Sequence, residues 1–170
     1  MKEKIRKVLL EKYLDFNLKS FKKSNDPGIS SANLKSIKQI LVIKPINSVN
    51  EKSIQNFIAG LYAVYPDVQV STFMRSSLRN SDTNWLGVPH EQYLKNIREI
   101  RFDLVIDLNL LHDTICSYIC KLSGAPLRLN LKQGDYDNIY NLHIKSSDSG
   151  NIDNELQNIL KYLKTFAKQH

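Results

Sequence analysis

The sequence predicts a single α/β domain: a Rossmann-like fold with a mainly parallel sheet of about five strands, plus an N-terminal basic helix. Two strand–helix–strand patterns carry this prediction. Residues 102–108 form an apolar run that is too short for a helix, and a helical pattern and a second apolar run at 127–131 follow it. Residues 37–44 and 68–73 flank another helical pattern. Such runs are typical of strands buried on both faces, and strands that alternate with helices usually lie parallel.

The helices of the body show their ends in the sequence. The first follows cap-type residues and stops at Tyr65-Pro66-Asp67, and the second ends at Ser123-Gly124-Ala125-Pro126, where a glycine stands just past the last turn. Residues 139–145 predict a last strand, and apolar spacing from residue 152 to near 166 predicts a C-terminal helix.

The long connection before the central strand contains the only tryptophan, Trp85, within the stretch NWLGVP. A tryptophan in a loop can serve as a stacking platform for a ligand. More often it pins a long connection to the sheet by packing. We expect Trp85 to be such an anchor.

The chain divides into three parts in the sequence. Residues 1–23 form a basic amphipathic helical arm, residues 24–36 a polar linker, and residues 37–170 the Rossmann-like domain. No apolar stretch approaches the roughly 20 residues of a membrane span, so no transmembrane segment is expected. The charged start has no apolar segment with a cleavage site. The predicted location is therefore cytoplasmic, with a peripheral position at the inner membrane as the alternative.

Most of the formal net charge of +7 lies in the arm. Residues 1–23 hold eight basic and three acidic residues, a net charge of +5. The basic residues, which are candidates for binding an acidic surface, are Lys2, Lys4, Arg6, Lys7, Lys12, Lys19, Lys22 and Lys23. An anionic membrane or a nucleic acid would be the partner of such a surface. The favoured interpretation is that the stripe of Ile5, Leu9, Tyr13 and Phe16 packs on the chain's own domain.

Candidate ligand-binding residues follow the predicted strands. In an open parallel sheet, ligands bind beyond the carboxyl ends of the strands, which selects Lys44 and Asn47 after one strand and Asn109 after another. Neither loop has a glycine-rich phosphate-binding motif, so no nucleotide cofactor is expected. The sequence predicts no cofactor of any kind.

The same loops contain the candidates for acid–base chemistry. His112 beside Asp113 could exchange a proton with a substrate, and Asp107 lies close by in the sequence. The alternative is that Asp113 only caps the following helix. Cys116 and Cys120 share a helix face without further Cys or His ligands nearby, so we expect two core thiols and no metal site.

Four stretches resemble the N-terminal half of family 9 glycosyltransferases, the heptosyltransferases of lipopolysaccharide synthesis. They are KQILVIK, Tyr65-Pro66-Asp67, FDLVIDL and LSGAPLR, and their order and spacing agree across about residues 37–131. A second resemblance covers more of the chain: NWLGVP, FDLVIDLNL and the C-terminal helix are similar to short proteins of Bacteroidota. This second resemblance implies no particular activity.

The resemblance to the glycosyltransferases implies an acceptor-binding half without its catalytic base. The family places a glycine and a catalytic aspartate where this chain has Val49 and Asn50, and an amide cannot take the proton. Glu51 is adjacent, but one residue along a helix start turns it about 100° away. The family also has a second half that binds the nucleotide sugar, and this chain matches only the first.

The sequence therefore favours a non-catalytic binding or scaffold domain whose partner is another protein. The alternatives are a glycosyltransferase of the heptosyltransferase type, using Asn50, Glu51, Asp107, His112 or Asp113, and a peripheral adaptor that binds an acidic surface through its N-terminal helix.

Overall fold

The computed structural model describes residues 2–20, 34–46, 51–131, 139–144 and 151–168. Its helices are α1 (Lys2–Ser20), α2 (Glu51–Val64), α3 (Glu91–Ile100), α4 (Thr114–Leu122) and α5 (Ile152–Ala167). Its strands are β1 (Gln39–Ile43), β2 (Gln69–Phe73), β3 (Leu104–Asp107), β4 (Leu127–Asn130) and β5 (Leu142–His143). Two short 3₁₀ turns, Arg75–Ser77 and Asn80–Asp82, lie between β2 and α3.

The five strands form one sheet in the order β2-β1-β3-β4-β5, and every neighbouring pair is parallel. This confirms the predicted α/β fold with a parallel five-stranded sheet. β3 lies at the centre of the sheet, and β5 is an edge strand of two residues. The register pairs Ile43 of β1 with Asp107 of β3, so these strands end side by side.

Each face of the sheet is covered by its own helices. On one face, Leu41, Ile43 and Val105 pack with buried residues of α1, α3 and α4. On the other face, the alternate strand residues pack with α2 and α5. Leu34, within the predicted linker, belongs to this second core, and its carbonyl accepts a hydrogen bond from the Tyr65 hydroxyl at 2.8 Å. The period of two along each strand thus supplies both cores.

The buried face of α1 is not the predicted one. Ile5, Leu9, Tyr13 and Phe16 are exposed, and Phe16 is 73% exposed. Leu14 is buried and Leu10 half-buried on the opposite face, where α1 lies against α4. The physical reason is that α1 has apolar residues on two opposite faces, and helical spacing does not decide which of them the body covers. The expectation of core packing by the stripe was therefore wrong.

Trp85 does not anchor its connection, because it is 70% exposed. Leu86 and Val88 are buried in its place. The Asn84 side chain accepts hydrogen bonds from the backbone N–H groups of Leu86 and Val88, at 2.9 and 3.1 Å. Gly87 adopts a left-handed conformation with φ of 86°, which suits a residue without a Cβ. This tight turn directs the two aliphatic residues, and not the indole, into the core.

Candidate functional site

The topological switch point of the sheet lies between β1 and β3, and open parallel sheets bind ligands at such a point. The chain leaves β1 toward β2 on one side and leaves β3 toward β4 on the other. A cleft of about 180 Å³ lies at this point. It is lined by Pro45 and Ile46 after β1 and by residues 109–113 after β3.

Asn109 joins the two loops of the cleft. Its side-chain oxygen accepts a hydrogen bond from the backbone N–H of Ile46 at 2.9 Å. Its side-chain nitrogen donates to Asp107 at 2.8 Å, and its backbone N–H donates to the same carboxylate oxygen at 3.0 Å. Asn109 is itself buried. An amide suits this position because it both donates and accepts.

Asp107 is buried at the end of β3, and both of its oxygens accept hydrogen bonds. One oxygen accepts from Asn109, and the other accepts from the hydroxyl of Tyr140. Tyr140 in turn shares a hydrogen bond of 3.0 Å with the Ser117 hydroxyl. The carboxylate thus connects β3, α4 and the segment before β5 in one buried polar network.

Burial sets the protonation of this network. It raises the pKa of Asp107 above the ordinary value, against the opposing effect of the hydrogen bonds from Tyr140 and Asn109. Burial also raises the pKa of Tyr140 and of Cys116, so the phenol and the thiol stay protonated at neutral pH. The hydrogen bonds that Asp107 accepts come from Asn109 and Tyr140, which are both uncharged.

Asp113 lies at the start of α4 and caps it. One carboxylate oxygen accepts a hydrogen bond from the backbone N–H of Cys116 at 2.9 Å, and the other forms an ion pair with Arg75. Arg75 follows β2, so this ion pair connects two loops of the same sheet edge. His112 is exposed beside Asp113 on the lining of the cleft. The predicted capping role of Asp113 is the one that the contacts support.

Lys44 and Glu51 form an ion pair of 2.8 Å across the loop after β1. Gln55 also donates to Glu51, at 3.1 Å. The hydrogen bond from Lys44 lowers the pKa of the exposed Glu51, so this carboxyl group is ionised at neutral pH. Lys44, the predicted basic residue of the site, is thus paired with the carboxylate of Glu51.

The rim of the cleft is apolar. Ile46, Leu110 and Leu111 are exposed around it, and Met74 is exposed at the end of the neighbouring strand β2. Leu111 is 64% exposed. Exposed single apolar residues are ordinary on protein surfaces, and these four lie at the edge where open parallel sheets bind ligands.

The structure brings together most of the residues that the sequence predicted for the site. Lys44, Glu51, Asp107, Asn109, His112 and Asp113 all lie at the carboxyl edge. Asn47 and Asn50 lie outside the described residues. In the arm, Lys4, Arg6 and Lys12 are exposed. Lys2, Lys7 and Lys19 are described only by their backbone in α1, and Lys22 and Lys23 lie outside the described residues.

Sequence reasoning missed Arg75, Ser117, Tyr140 and the apolar rim. The pair Leu110-Leu111 carried a signal, since two leucines are unusual in an otherwise polar turn between a strand and a helix. Tyr140 carried none, because it stands 33 residues from Asp107 and only the fold brings them together. Within the described part of the chain, no group of three or more His, Cys, Asp or Glu residues could hold a metal ion.

Among the described helices, none is long and apolar enough to cross a lipid bilayer. Comparison with protein families matches residues 6–166 to a family described as a family of unknown function, DUF6913. No curated protein and no solved structure matches the chain.

Proposed function

Since the chain belongs to the DUF6913 family, whose description assigns no activity, we propose its function from the geometry of the site. It is a non-catalytic binding or scaffold domain that holds another protein at the carboxyl edge of its sheet. One observation carries the proposal. The described carboxylates of this edge are hydrogen-bonded or ion-paired to other residues of the chain, whereas the apolar side chains around the cleft are exposed to solvent.

The apolar rim supports a protein partner. Ile46 and Leu111 come from the loops on either side of the cleft, and Met74 extends the rim toward β2. When a partner covers exposed aliphatic residues and methionine, the removal of their apolar surface from water lowers the free energy of the complex. Asn109 and Ile46 are hydrogen-bonded to each other, so the two loops form one prearranged surface.

The size of the cleft also favours a protein over a small ligand. Pockets for drug-sized ligands enclose roughly 300–1,000 Å³, whereas the cleft between the described loops has about 180 Å³. A cleft of this size accommodates one large side chain. It therefore fits an anchor residue from a protein partner better than a whole nucleotide sugar.

The carboxylates of the edge support a non-catalytic role. A general base must reach the proton that it removes. Asp107 is buried with both oxygens accepting hydrogen bonds, and Asp113 caps α4 and pairs with Arg75. Glu51 is paired with Lys44. Each of these groups would have to leave its partner before it could accept a substrate proton.

Photocrosslinking in the protein's own cells tests the binding role. Leu111 is replaced by the photoreactive residue benzoylphenylalanine in the full chain, and Tyr62, exposed on α2 on the other side of the sheet, is replaced in a matched control. We expect a discrete protein adduct at position 111, absent at position 62 and lost when Leu110→Asp is added. Equal adducts at both positions, or none at position 111, would overturn the proposal.

Calorimetry separates the binding role from the glycosyltransferase alternative. The purified full chain is titrated with an ADP-sugar. We expect no saturable heat at micromolar concentrations, because the described edge has neither a phosphate-binding loop nor an unengaged carboxylate base. Saturable binding that Lys44→Ala weakens would overturn this expectation and favour the glycosyltransferase alternative.

A further inference from the structure

The outward face of α1 carries five large apolar side chains that the domain does not cover: Ile5, Val8, Leu9, Tyr13 and Phe16. At 100° per residue, all five project within less than half of the helix circumference. Lys12 falls among them, and Lys4 lies at one border with the exposed Glu11. The face is thus an apolar stripe interrupted by Lys12, with Lys4 and Glu11 at one border.

The opposite face of α1 fixes the direction of this stripe. Leu14 is buried and Leu10 half-buried against the core beneath α4. Because those leucines are on the other side of the helix, their packing turns the five apolar residues away from the domain. Arg6 lies near Gly87 of the connection before α3, which places a second contact along the same helix. α1 is therefore docked on the body with its stripe in solvent.

We propose that this stripe docks the protein onto an anionic lipid surface. The domain covers the second apolar face of α1, so the face left in solvent is the apolar one with lysines, and such a face can lie in the plane of the membrane interface against the acyl boundary. Lysines beside the stripe can extend their ammonium groups to lipid phosphates while their stems stay among the chains. The net charge of +5 in residues 1–23, against +7 for the whole chain, gives the arm the complementary charge.

The composition of the stripe favours lipid over nucleic acid. Proteins bind nucleic acids mainly through arginine and lysine contacts to phosphate and through aromatic rings that stack on bases. Three of the five exposed apolar residues are aliphatic, and aliphatic side chains gain little from either contact. A bilayer buries aliphatic and aromatic side chains alike, with tyrosine well suited to its interface. This inference concerns α1 alone and stands independently of the function proposed for the sheet edge.

Vesicle co-sedimentation of the full chain tests the inference. The vesicles are phosphatidylcholine, with or without about 30% phosphatidylglycerol. We expect binding to the anionic vesicles that falls at least tenfold in Leu9→Ser/Tyr13→Ser, and at least tenfold in Lys4→Ala/Lys12→Ala. The matched control is Tyr62→Ser/Tyr162→Ser, because Tyr62 on α2 is exposed to the same fraction as Tyr13, 44%. The control should bind as the wild type does.

Other outcomes would overturn the inference. One is equal loss of binding in the control and the stripe variants, and another is no binding of the wild type to anionic vesicles. A third is binding to single-stranded RNA that Lys4→Ala/Lys12→Ala removes, without any binding to vesicles. Dimers in sedimentation analysis that Leu9→Ser/Tyr13→Ser dissociates would show that a second copy covers the stripe. Circular dichroism of each variant confirms that the change leaves the fold intact.

Discussion

Asp107 stands at the carboxyl end of the central strand, and its described partners all donate hydrogen bonds to it. Asp103 plays the corresponding part at the amino end of the same strand. Its carboxylate accepts from the backbone N–H groups of Lys38 and Gln39 at 2.8 and 2.9 Å. The two aspartates of the motif FDLVIDL thus secure β3 at both ends, one to β1 and the other to α4 and the segment before β5.

The pKa of Asp107 gives a prediction for stability against pH. Because burial raises its folded-state pKa above the ordinary 3.8, the folded state binds this proton more tightly than the unfolded state does. That stabilisation is complete below the unfolded pKa and is lost as pH rises through the folded pKa. Asp107→Asn keeps an acceptor for Asn109 and cannot ionise. We therefore expect its stability relative to the wild type to increase from about pH 4 to pH 8.

Urea unfolding at both ends of that pH range measures the effect. The control is Asp67→Asn, which removes a negative charge from an exposed turn. A stability difference between Asp107→Asn and the wild type that stays constant with pH would contradict the prediction. So would an equal pH dependence in the control.

Arg101 ends α3 in the left-handed conformation, with φ of 55°. This region costs an L-residue with a side chain roughly 1 kcal/mol or more, and a glycine almost nothing. We expect Arg101→Gly to raise the free energy of unfolding by about 0.5–1 kcal/mol. Lys95→Gly, in the interior of the same helix, should lower it by about 1 kcal/mol. Thermal or urea unfolding measures both, and two changes of the same sign would be inconsistent with this account.

At the level of single residues, the sequence supplied the chemistry of the edge but not its partners. Asp107, Asn109 and Asp113 were identified because they follow a buried strand, and a parallel sheet brings such residues to one edge. Whether a carboxylate there is available for catalysis depends on what surrounds it. Tyr140 and Arg75 lie far along the chain from Asp107 and Asp113, so no local sequence pattern predicted these contacts.

Among the helices, α1 differs most from the prediction, because the face that it buries is not the one expected. Its buried anchor is Leu14, and its exposed apolar stripe was the predicted anchor. Helical spacing showed that apolar residues share a face, but α1 has apolar residues on two faces. Spacing alone could not decide which of them the body would cover. In α2 and α5 the fully buried residues share one face, whereas α4 is buried on nearly every side from Ile115 to Cys120.

Alanine substitution on the two faces of α1 tests this assignment. Leu14→Ala removes a fully buried side chain, so we expect the free energy of unfolding to fall by about 2–4 kcal/mol. Phe16→Ala changes an exposed side chain and should alter it by less than about 0.5 kcal/mol. Chemical denaturation of both variants measures the difference. A larger loss from Phe16→Ala would restore the original assignment of the buried face.

The strands were predicted more accurately than the connections. Four apolar runs became β1 to β4 within about two residues of their expected bounds, because a strand buried on both faces must be apolar throughout. β5 has two residues where seven were expected. An edge strand pairs on one side only, so its length depends on how the neighbouring segments cover it.

Over the whole molecule, the sheet should open from its edges. β3 pairs with β1 and β4 and is buried on both faces, whereas β5 pairs on one side over two residues. We expect the β3 amides to exchange with solvent only through global unfolding, and the β5 amides to exchange faster by local opening. Hydrogen exchange followed by mass spectrometry or NMR measures both. Equal protection of Val105 and Leu142 would rule out this order.

The packing of α1 on α4 has a consequence for synthesis on the ribosome. β2, β3, β4 and β5 each pair with a strand that precedes them in the chain, so the sheet grows in the order of translation. α1 is the exception, because it precedes all five strands, and α4, on which it packs, begins only at Thr114. At about 5–20 residues per second, the nascent helix waits on the order of ten seconds for its docking surface. During that interval both of its apolar faces are open to a chaperone or to a nearby bilayer, before the domain that will hold it exists.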